Sequence, residues 1–315
     1  MKKYFIFIQL VLLVFLFSYS AFADIPLTTK DLDQFSWRNI GPYPFSGRIT
    51  TVAVPRGQSI CYYVATGTGG VWKTVDGGIS FKPIFEKYGN MSIGFIAIAP
   101  SDANILYLGT GESLHARASY RGNGMWKSTD AGKTWKHIGL KNSFFIPKIE
   151  VDHKNPDIVY AAAEGKLYDN KMDCERGLYK SSDGGKTWKR VLDFKDRGVI
   201  DFVIDPTNSD MVIAAAYKTF RRTWTFIDRQ KGNHFYKTID GGKTWKKLTK
   251  GLPMAAETGR NGITIYDKNP QIVYARVDEE VSVGLSEREY SSQFREGRLF
   301  KDGFYFNKFK NYKIP

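Results

Sequence analysis

One eight-residue phrase occurs four times in this chain, each time with an aspartate at its third position. Three copies read Ser/Thr-x-Asp-x-Gly-Lys-Thr-Trp, and the first copy ends in Phe81 instead of tryptophan. Their aspartates are 54, 53 and 57 residues apart: Asp76, Asp130, Asp183 and Asp240. Self-similarity at a period of about 50 residues is typical of a β-propeller, in which each repeat supplies one four-stranded blade. This repeat phrase therefore constrains the fold strongly, and it says much less about function.

Each repeat carries four short apolar or alternating runs, A to D, and no segment has a convincing helical period. In the third repeat these runs span 145–151, 158–163, 177–180 and 187–192. We predict an all-β propeller of four-stranded blades over 47–315, with four clear blades and a degenerate fifth. The predicted blades are 47–85, 92–139, 145–192, 198–249 and 260–315.

The fifth repeat decays after Val277, and only Asp302-Gly303 remains of its phrase. Two readings follow: a small closed propeller of five blades, or the front part of a larger one. An open propeller would leave an unpaired strand edge at its last blade.

The repeat phrase falls on the predicted C–D hairpin of each blade, where its residue types suit a structural role. The aspartate can accept backbone N–H groups within its own turn, and glycine supplies positive φ. A tryptophan ring can be buried between blades while its N–H finds a partner. The aspartates are therefore interpreted as fold staples and not as catalytic acids. The same interpretation covers the tryptophans of the last three phrases: Trp135, Trp188 and Trp245.

The N-terminal 23 residues have the features of a secretory signal peptide. Lys2 and Lys3 precede an apolar run over 4–17, and Ala21-Phe22-Ala23 fits the small-x-small cleavage pattern. We predict cleavage after Ala23, a lead-in over 24–46, and a secreted or periplasmic mature protein without a transmembrane segment. A membrane anchor is the alternative, and it would require about 20 apolar residues.

The net charge of +14 could suit an anionic partner. Many of the lysines recur at one phase of the repeat, which favours a solvated rim over a nucleic-acid site: Lys133, Lys136, Lys186, Lys189, Lys243 and Lys246. Cys61 and Cys174 lie in repeats that would not be neighbours, so no disulfide is expected. The four histidines are dispersed, and neither a metal site nor a cofactor is predicted.

With its four phrases and the lead-in that begins Trp37-Arg38-Asn39-Ile40-Gly41-Pro42, the chain resembles the exported Asp-box (BNR) repeat proteins related to the sortilin N-terminal domain. The resemblance is particularly close at 69–73, 109–112 and 176–180. Sialidases, xyloglucan-cleaving glycosidases, sortilin-type receptors and photosystem assembly factors all carry such repeats, so the resemblance implies the fold and leaves the activity open. Its members are longer than this chain, which implies truncation after Val277.

Two catalytic groups within this resemblance can be compared residue by residue. Sialidases carry a Phe/Tyr-Arg-Ile-Pro motif, whereas Phe145-Ile146-Pro147 lacks the arginine and follows the second phrase. Xyloglucan-cleaving enzymes carry Arg-Thr-Asp-x-Gly-Gly-x-Tyr with a catalytic aspartate, and the aligned segment 65–72 has Gly67 at that position. Glycoside hydrolysis normally uses two carboxylates, and this resemblance does not supply them.

The long loops between strands B and C are the predicted location of a site. B–C and D–A loops share one face of a propeller, here called the B–C loop face, and the repeat phrases lie on the other. The B–C loops span 111–123, 164–176 and 217–233, and loops of this kind on a rigid scaffold often carry function. The predicted ligand-binding residues are Arg48, Glu112, Arg117, Arg121, Arg176, Arg222 and Trp224.

Two functions remain open at this point. The first is a non-catalytic module that binds a protein, a peptide or a polysaccharide, because arginine forks and aromatic rings suit acidic and sugar ligands. The second is a glycoside hydrolase or lyase, whose weak acid–base candidates are Glu112, Asp173 and Glu175. The arginine-rich loops favour binding. Loop charges that merely pair with one another are the alternative to both.

Overall fold

The computed structural model describes residues 48–115, 119–167, 174–222, 224–252 and 257–278. It consists of four four-stranded antiparallel sheets, one additional two-stranded hairpin, and a final pair of strands. This confirms the predicted all-β propeller. The predicted signal peptide, the lead-in and the remnant of the fifth phrase lie outside the described residues.

The first three sheets follow the chain in simple order, each built from consecutive strands. The first sheet contains β1 (Ile49–Ala53), β2 (Tyr62–Thr66), β3 (Val71–Thr74) and β4 (Lys82–Pro83), and a 3-10 turn follows at Glu86–Tyr88. The second contains β5 (Ile93–Ala99), β6 (Asp102–Thr110), β7 (Met125–Ser128) and β8 (Lys136–Gly139). The third contains β9 (Ile149–Val151), β10 (Val159–Ala163), β11 (Gly177–Ser181) and β12 (Lys189–Leu192).

The fourth sheet has an insertion that the sequence did not predict. Its strands are β13 (Gly198–Asp205), β14 (Asn208–Tyr217), β17 (Phe235–Thr238) and β18 (Lys246–Lys247). Between β14 and β17 a separate hairpin forms from β15 (Phe220–Arg222) and β16 (Thr225–Ile227). The last described pair is β19 (Gly262–Ile265) and β20 (Val273–Arg276).

The core lies between neighbouring sheets, because strand B of each blade buries both of its faces. Tyr63, Tyr107 and Tyr160 occupy matching positions in β2, β6 and β10, and each is at most 1% exposed. Each hydroxyl reaches forward and donates a hydrogen bond to a carbonyl of the next blade. The acceptors are Ala131 at 3.2 Å, Pro156 at 2.8 Å and Ser209 at 2.9 Å. A buried tyrosine therefore contributes apolar area and satisfies its one polar atom across the blade boundary.

The aspartate of the repeat phrase closes its own turn. In the third phrase, Thr187 donates its N–H to Asp183 Oδ1 at 2.9 Å and its hydroxyl to Oδ2 at 2.6 Å. Ser181 donates to Oδ1 at 2.8 Å. Gly184 and Gly185 have φ values of 72° and 90°, where a side chain would be strained. These contacts hold the pKa of the Asp183 carboxyl below its usual range.

The tryptophan of the repeat phrase attaches each blade to the blade before it. The indole N–H of Trp135 donates to the carbonyl of Ile84 at 3.0 Å, that of Trp188 to Ile138 at 2.7 Å, and that of Trp245 to Val191 at 2.7 Å. The acceptors lie in or beside the outermost strands of the preceding sheets. Phe81 of the first phrase has no N–H to donate, and it lies edge-on to Tyr62 of its own blade, with ring centroids 5.9 Å apart.

Carboxylates connect the innermost strands. Glu150 accepts the backbone N–H of Ile204 at 2.8 Å, and Asp201 accepts that of Ile263 at 2.8 Å, so each satisfies an inner-edge donor of the next blade. Lys148 Nζ lies 2.7 Å from Asp201 and 3.2 Å from Glu150. Burial disfavours the charged lysine, but the two carboxylates outweigh it and raise the pKa of Lys148. A cavity of about 290 Å³ lies beside this cluster, between the inner strands.

Some boundaries and one element differ from the sequence prediction. Run A of the third repeat was predicted over 145–151, but β9 covers only Ile149–Val151. Ile146 instead donates its N–H to the carbonyl of Thr110 in the preceding blade, at 3.2 Å. All six rim lysines are exposed, as a solvated rim requires. Cys61 and Cys174 are both free thiols.

We expect Trp135→Ala to reduce the free energy of unfolding by about 3–5 kcal/mol, because this ring is 7% exposed and leaves a cavity between blades. Trp135→Phe keeps most of the ring and should cost about 1 kcal/mol, mainly for the lost hydrogen bond to Ile84. Urea denaturation measures both. Ile79→Ala, at a position 89% exposed in the first phrase, is the control and should change stability by less than about 0.5 kcal/mol. Equal losses for Phe and Ala at position 135 would contradict this assignment.

We expect the second phrase to contribute to acid stability. Burial acts to raise the pKa of Asp130, but hydrogen bonds from Thr134 and Ser128 lower it from 3.8 to about 2. A group whose folded pKa is depressed stabilises the fold above its unfolded pKa and loses that contribution as pH falls through the folded value. The excess stability of wild type over Asp130→Asn should therefore be full above about pH 4 and shrink toward pH 2. Denaturation midpoints across this range test it, and a constant difference would refute it.

Candidate functional site

An ion pair between the first two blades lies at the start of the B–C loop face. Arg48 immediately precedes β1, and Glu112 lies just after β6. The Nε and Nη2 groups of Arg48 donate to the two carboxylate oxygens of Glu112. Glu112 is fully buried, whereas the Arg48 side chain is 40% exposed. The hydrogen bond to Glu112 is the largest of the effects that together raise the pKa of Arg48.

The Glu112 carboxylate occupies the space above Gly67. A Cβ added at Gly67 would lie 2.8 Å from Glu112 Cδ and 3.0 Å from Oε2, closer than real Cβ contacts. Gly67 is the position at which the xyloglucan-cleaving motif carries its aspartate. In this chain the missing side chain makes room for a glutamate from the next blade, and Arg48 neutralises that glutamate.

A second buried pair lies on the same face and joins the second and third blades. His115 Nε2 is 2.7 Å from Glu164 Oε2, and each side chain is only 2% exposed. The His115 ring is stacked on Tyr217, with a centroid distance of 5.6 Å and an interplanar angle of 5°. Burial, more than the charge of Glu164, raises the pKa of the Tyr217 hydroxyl. Sequence reasoning did not single out Glu164 or Tyr217, because nothing in the pattern shows that His115 meets them.

Two predicted residues of the third repeat hold their own loop in place. Arg176 is 5% exposed and donates to Cys174 Sγ at 3.2 Å and to the carbonyl of Lys166 at 2.7 Å. Glu175 accepts the backbone N–H of Asn142 at 2.8 Å. Both side chains therefore have structural contacts on this face.

Of the remaining candidates, Arg121 is exposed and its guanidinium lies 5.7 Å from the centroid of the Phe144 ring. Arg117 and Asp173 lie outside the described residues. The structure brings Arg48 together with Glu112, and Arg222 together with Trp224. No printed contact joins these two pairs within the part of the chain that the structure describes.

The β15–β16 hairpin presents arginines and aromatic rings at the surface. Arg222 lies 5.6 Å from the centroid of Trp224 and 5.2 Å from that of Phe220, and Arg221 lies 4.8 Å from that of Phe226. Trp224 is 77% exposed and Phe226 is 41% exposed. The sequence predicted a plain loop here, because the segment has no Asn-Gly or Asp-Gly turn signal between its strands.

The chemistry of this face is that of recognition. Glu112, Glu164 and Glu175 each have a protein partner, whereas the hairpin offers guanidinium groups and open ring faces. Among the described residues, no group of three or more His, Cys, Asp or Glu side chains could hold a metal ion. In that same part of the chain, no helix has the length and apolar character needed to cross a membrane.

We expect Arg48→Met to reduce the free energy of unfolding by about 3 kcal/mol, because it leaves the buried Glu112 carboxylate without its counter-ion. Arg121→Met is the matched control and should cost less than about 1 kcal/mol, since Arg121 is exposed and its charge has only a ring contact. The double variant Arg48→Met with Glu112→Leu should recover much of the loss. Urea denaturation decides, and strictly additive losses would contradict the coupling of the two side chains.

A family model described as Sortilin-Vps10 ("Sortilin, neurotensin receptor 3") matches residues 69–199. A xyloglucanase from Paenibacillus sp. is 24% identical over 254 residues, which cover 71% of this chain and 23% of that protein. Xyloglucanase Xgh74A from Acetivibrio thermocellus is 31% identical over 147 residues, covering 39% of this chain and 16% of that protein. The chain thus spans less than a quarter of the length of either enzyme.

The solved structure of an ancestral GH74 enzyme superposes on this chain with a TM-score of 0.56 and 20% sequence identity. It covers 74% of this chain, and the chain covers 28% of that enzyme. At this identity the likeness supports the fold alone. By sequence and fold together, the chain is a β-propeller of the BNR-repeat group, similar to the sortilin/Vps10 domain and to the GH74 xyloglucanases.

Proposed function

We propose that this chain is an exported binding module that holds a polysaccharide on its B–C loop face without cleaving it. One observation carries the proposal. Glu112, the foremost carboxylate candidate on this face, is fully buried and has both oxygens hydrogen-bonded to Arg48. A general acid or base must reach the proton that it transfers, directly or through one water molecule. A carboxylate enclosed by Arg48 and Gly67 is poorly placed for that transfer.

The other described carboxylates near the candidate site support the same conclusion. Glu164 is 2% exposed and holds His115, and Glu175 accepts a backbone N–H group. Canonical glycoside hydrolysis uses one carboxylate on each side of the scissile bond. These side chains instead fix the loops, and fixed loops give a binding surface that loses little entropy when a ligand arrives.

A polysaccharide is favoured as ligand by the aromatic rings of this face. Trp224 is 77% exposed and Tyr120 is 60% exposed, and both belong to B–C loops. A flat ring that is apolar on its face and polar at its edge can cover the C–H face of a sugar while the hydroxyl groups stay hydrated. The xyloglucanases similar to this chain act on a polysaccharide, which supports the same ligand class.

Glycoside hydrolysis is the second candidate, and the similarity to xyloglucanases is the observation that favours it. In that case Glu112 would stand in for the aspartate absent at Gly67. It would have to leave Arg48 when substrate binds. The two candidates therefore differ in whether Glu112 ever becomes accessible.

The two functions separate in one experiment with xyloglucan and a panel of cell-wall polysaccharides. We expect saturable retention of at least one polymer in affinity electrophoresis and no release of reducing ends. Glu175→Gln should leave retention unchanged, and so should Glu112→Gln where circular dichroism shows the fold intact. Time-linear release of reducing ends that either substitution abolishes, with binding intact, would overturn the proposal in favour of hydrolysis. A failure to retain any polymer would also overturn it.

A further inference from the structure

The β15–β16 hairpin is a fixed element of the B–C loop face. Its strands pair at Phe220 with Ile227, at Arg221 with Phe226 and at Arg222 with Thr225. Arg221 also donates its backbone N–H to the carbonyl of Leu167 in the third repeat, at 2.8 Å. The ring of Phe226 lies edge-on to buried His115, with centroids 6.2 Å apart. The hairpin is therefore held against two neighbouring blades.

The two arginines of this hairpin keep their positive charge without a described carboxylate partner. Other arginines of the same part of the chain have one: Arg197 lies 2.9 Å from Asp196, and Arg229 lies 3.0 Å from Asp278. No ion pair joins Arg221 or Arg222 to a carboxylate within the described ranges. Ring faces hold them instead, because cation–π contact orients a guanidinium and leaves its N–H groups free to donate.

Apolar surface accompanies this charge. Trp224, Phe226 and Ile227 are 77%, 41% and 47% exposed, and they lie within four residues of one another. Adjacent exposed apolar residues with unpaired positive charge indicate a surface that binds something, since a solvated loop gains nothing from them. A complementary ligand has to offer a flat apolar face and a carboxylate a short distance away.

We propose that this hairpin is a subsite for an acidic polysaccharide that carries uronate residues. The ring faces of Trp224 and Phe226 cover sugar rings, and the Arg222 and Arg221 guanidinium groups bind the uronate carboxylates through paired N–H donors. An acidic peptide offers carboxylates as well, but it lacks the flat C–H faces that match a single large exposed ring. This inference rests on the proposed function and names the ligand of its face.

The test uses three polymers as probes: polygalacturonate, neutral xyloglucan and polyglutamate. Equilibrium binding is measured at two salt concentrations for the whole chain and its variants. We expect polygalacturonate to bind tightest, and Arg221→Ala with Arg222→Ala to weaken it by about tenfold or more. Trp224→Ala should weaken it by about fivefold at both salt concentrations, while the arginine contribution should fall as salt rises.

The matched control removes equal charge from the opposite face. Lys243→Ala with Lys246→Ala deletes two exposed lysines beside the fourth repeat phrase and should change affinity less than about twofold. Arg222→Lys keeps the charge and loses the planar fork, so an intermediate loss is expected. Circular dichroism of each variant verifies that the fold is retained.

The outcomes separate the inference from the proposed function. If xyloglucan binds as tightly as polygalacturonate and the hairpin variants have no effect, the uronate subsite is wrong while the binding module stands. If polyglutamate binds equally and responds to the same variants, the partner is an acidic peptide and the inference is overturned. Equal losses from the lysine control would reduce the effect to net charge and would also overturn it. If none of the three polymers binds, the inference fails, and the proposed function then depends on the wider polysaccharide panel.

Discussion

The indole N–H bond from each repeat phrase to the outer strand of the preceding blade is the contact on which the rest of this structure depends. A blade is a small twisted sheet, and two packed faces alone would let neighbouring blades slide. The bonds from Trp135, Trp188 and Trp245 set the position of the outer edges. Tyrosine hydroxyls do the same near strand B, and the carboxylates of Glu150 and Asp201 do so at the inner edge. Each blade is thus fastened to its neighbour at three radii.

This fastening explains why the two faces of the propeller differ. On one face, the repeat phrase closes its own turn with the aspartate and is short in every blade. On the other face, the B–C loops are long and differ from repeat to repeat, because the scaffold beneath them does not need their contacts. Side chains of those loops fall into two groups. Arg48, Glu112, His115 and Glu164 are buried pairs that hold loops in place, and the β15–β16 hairpin is a surface with open rings and unpaired charge.

The repeat phrase and the strand runs were predictable from the sequence because they depend on local chemistry. An Asp-x-Gly turn and a period-two apolar run carry their structure within a few residues. The candidate site was only partly predictable. Arg48 and Glu112 could both be named from the sequence, but their pairing across 64 residues follows from how the first blade packs on the second. The hairpin was missed because its turn at Trp224 carries no glycine or asparagine, so tertiary contacts with Leu167 and His115 decide its structure.

The central claim is that ligand binding occurs on the B–C loop face, at the hairpin, while the repeat phrases remain uninvolved. Hydrogen–deuterium exchange with and without a saturating polysaccharide measures this most directly. The account predicts slower exchange over 217–233 in the presence of ligand, and unchanged exchange in the turns at Asp130, Asp183 and Asp240. Ligand-dependent protection of those turns, with none over 217–233, would contradict it.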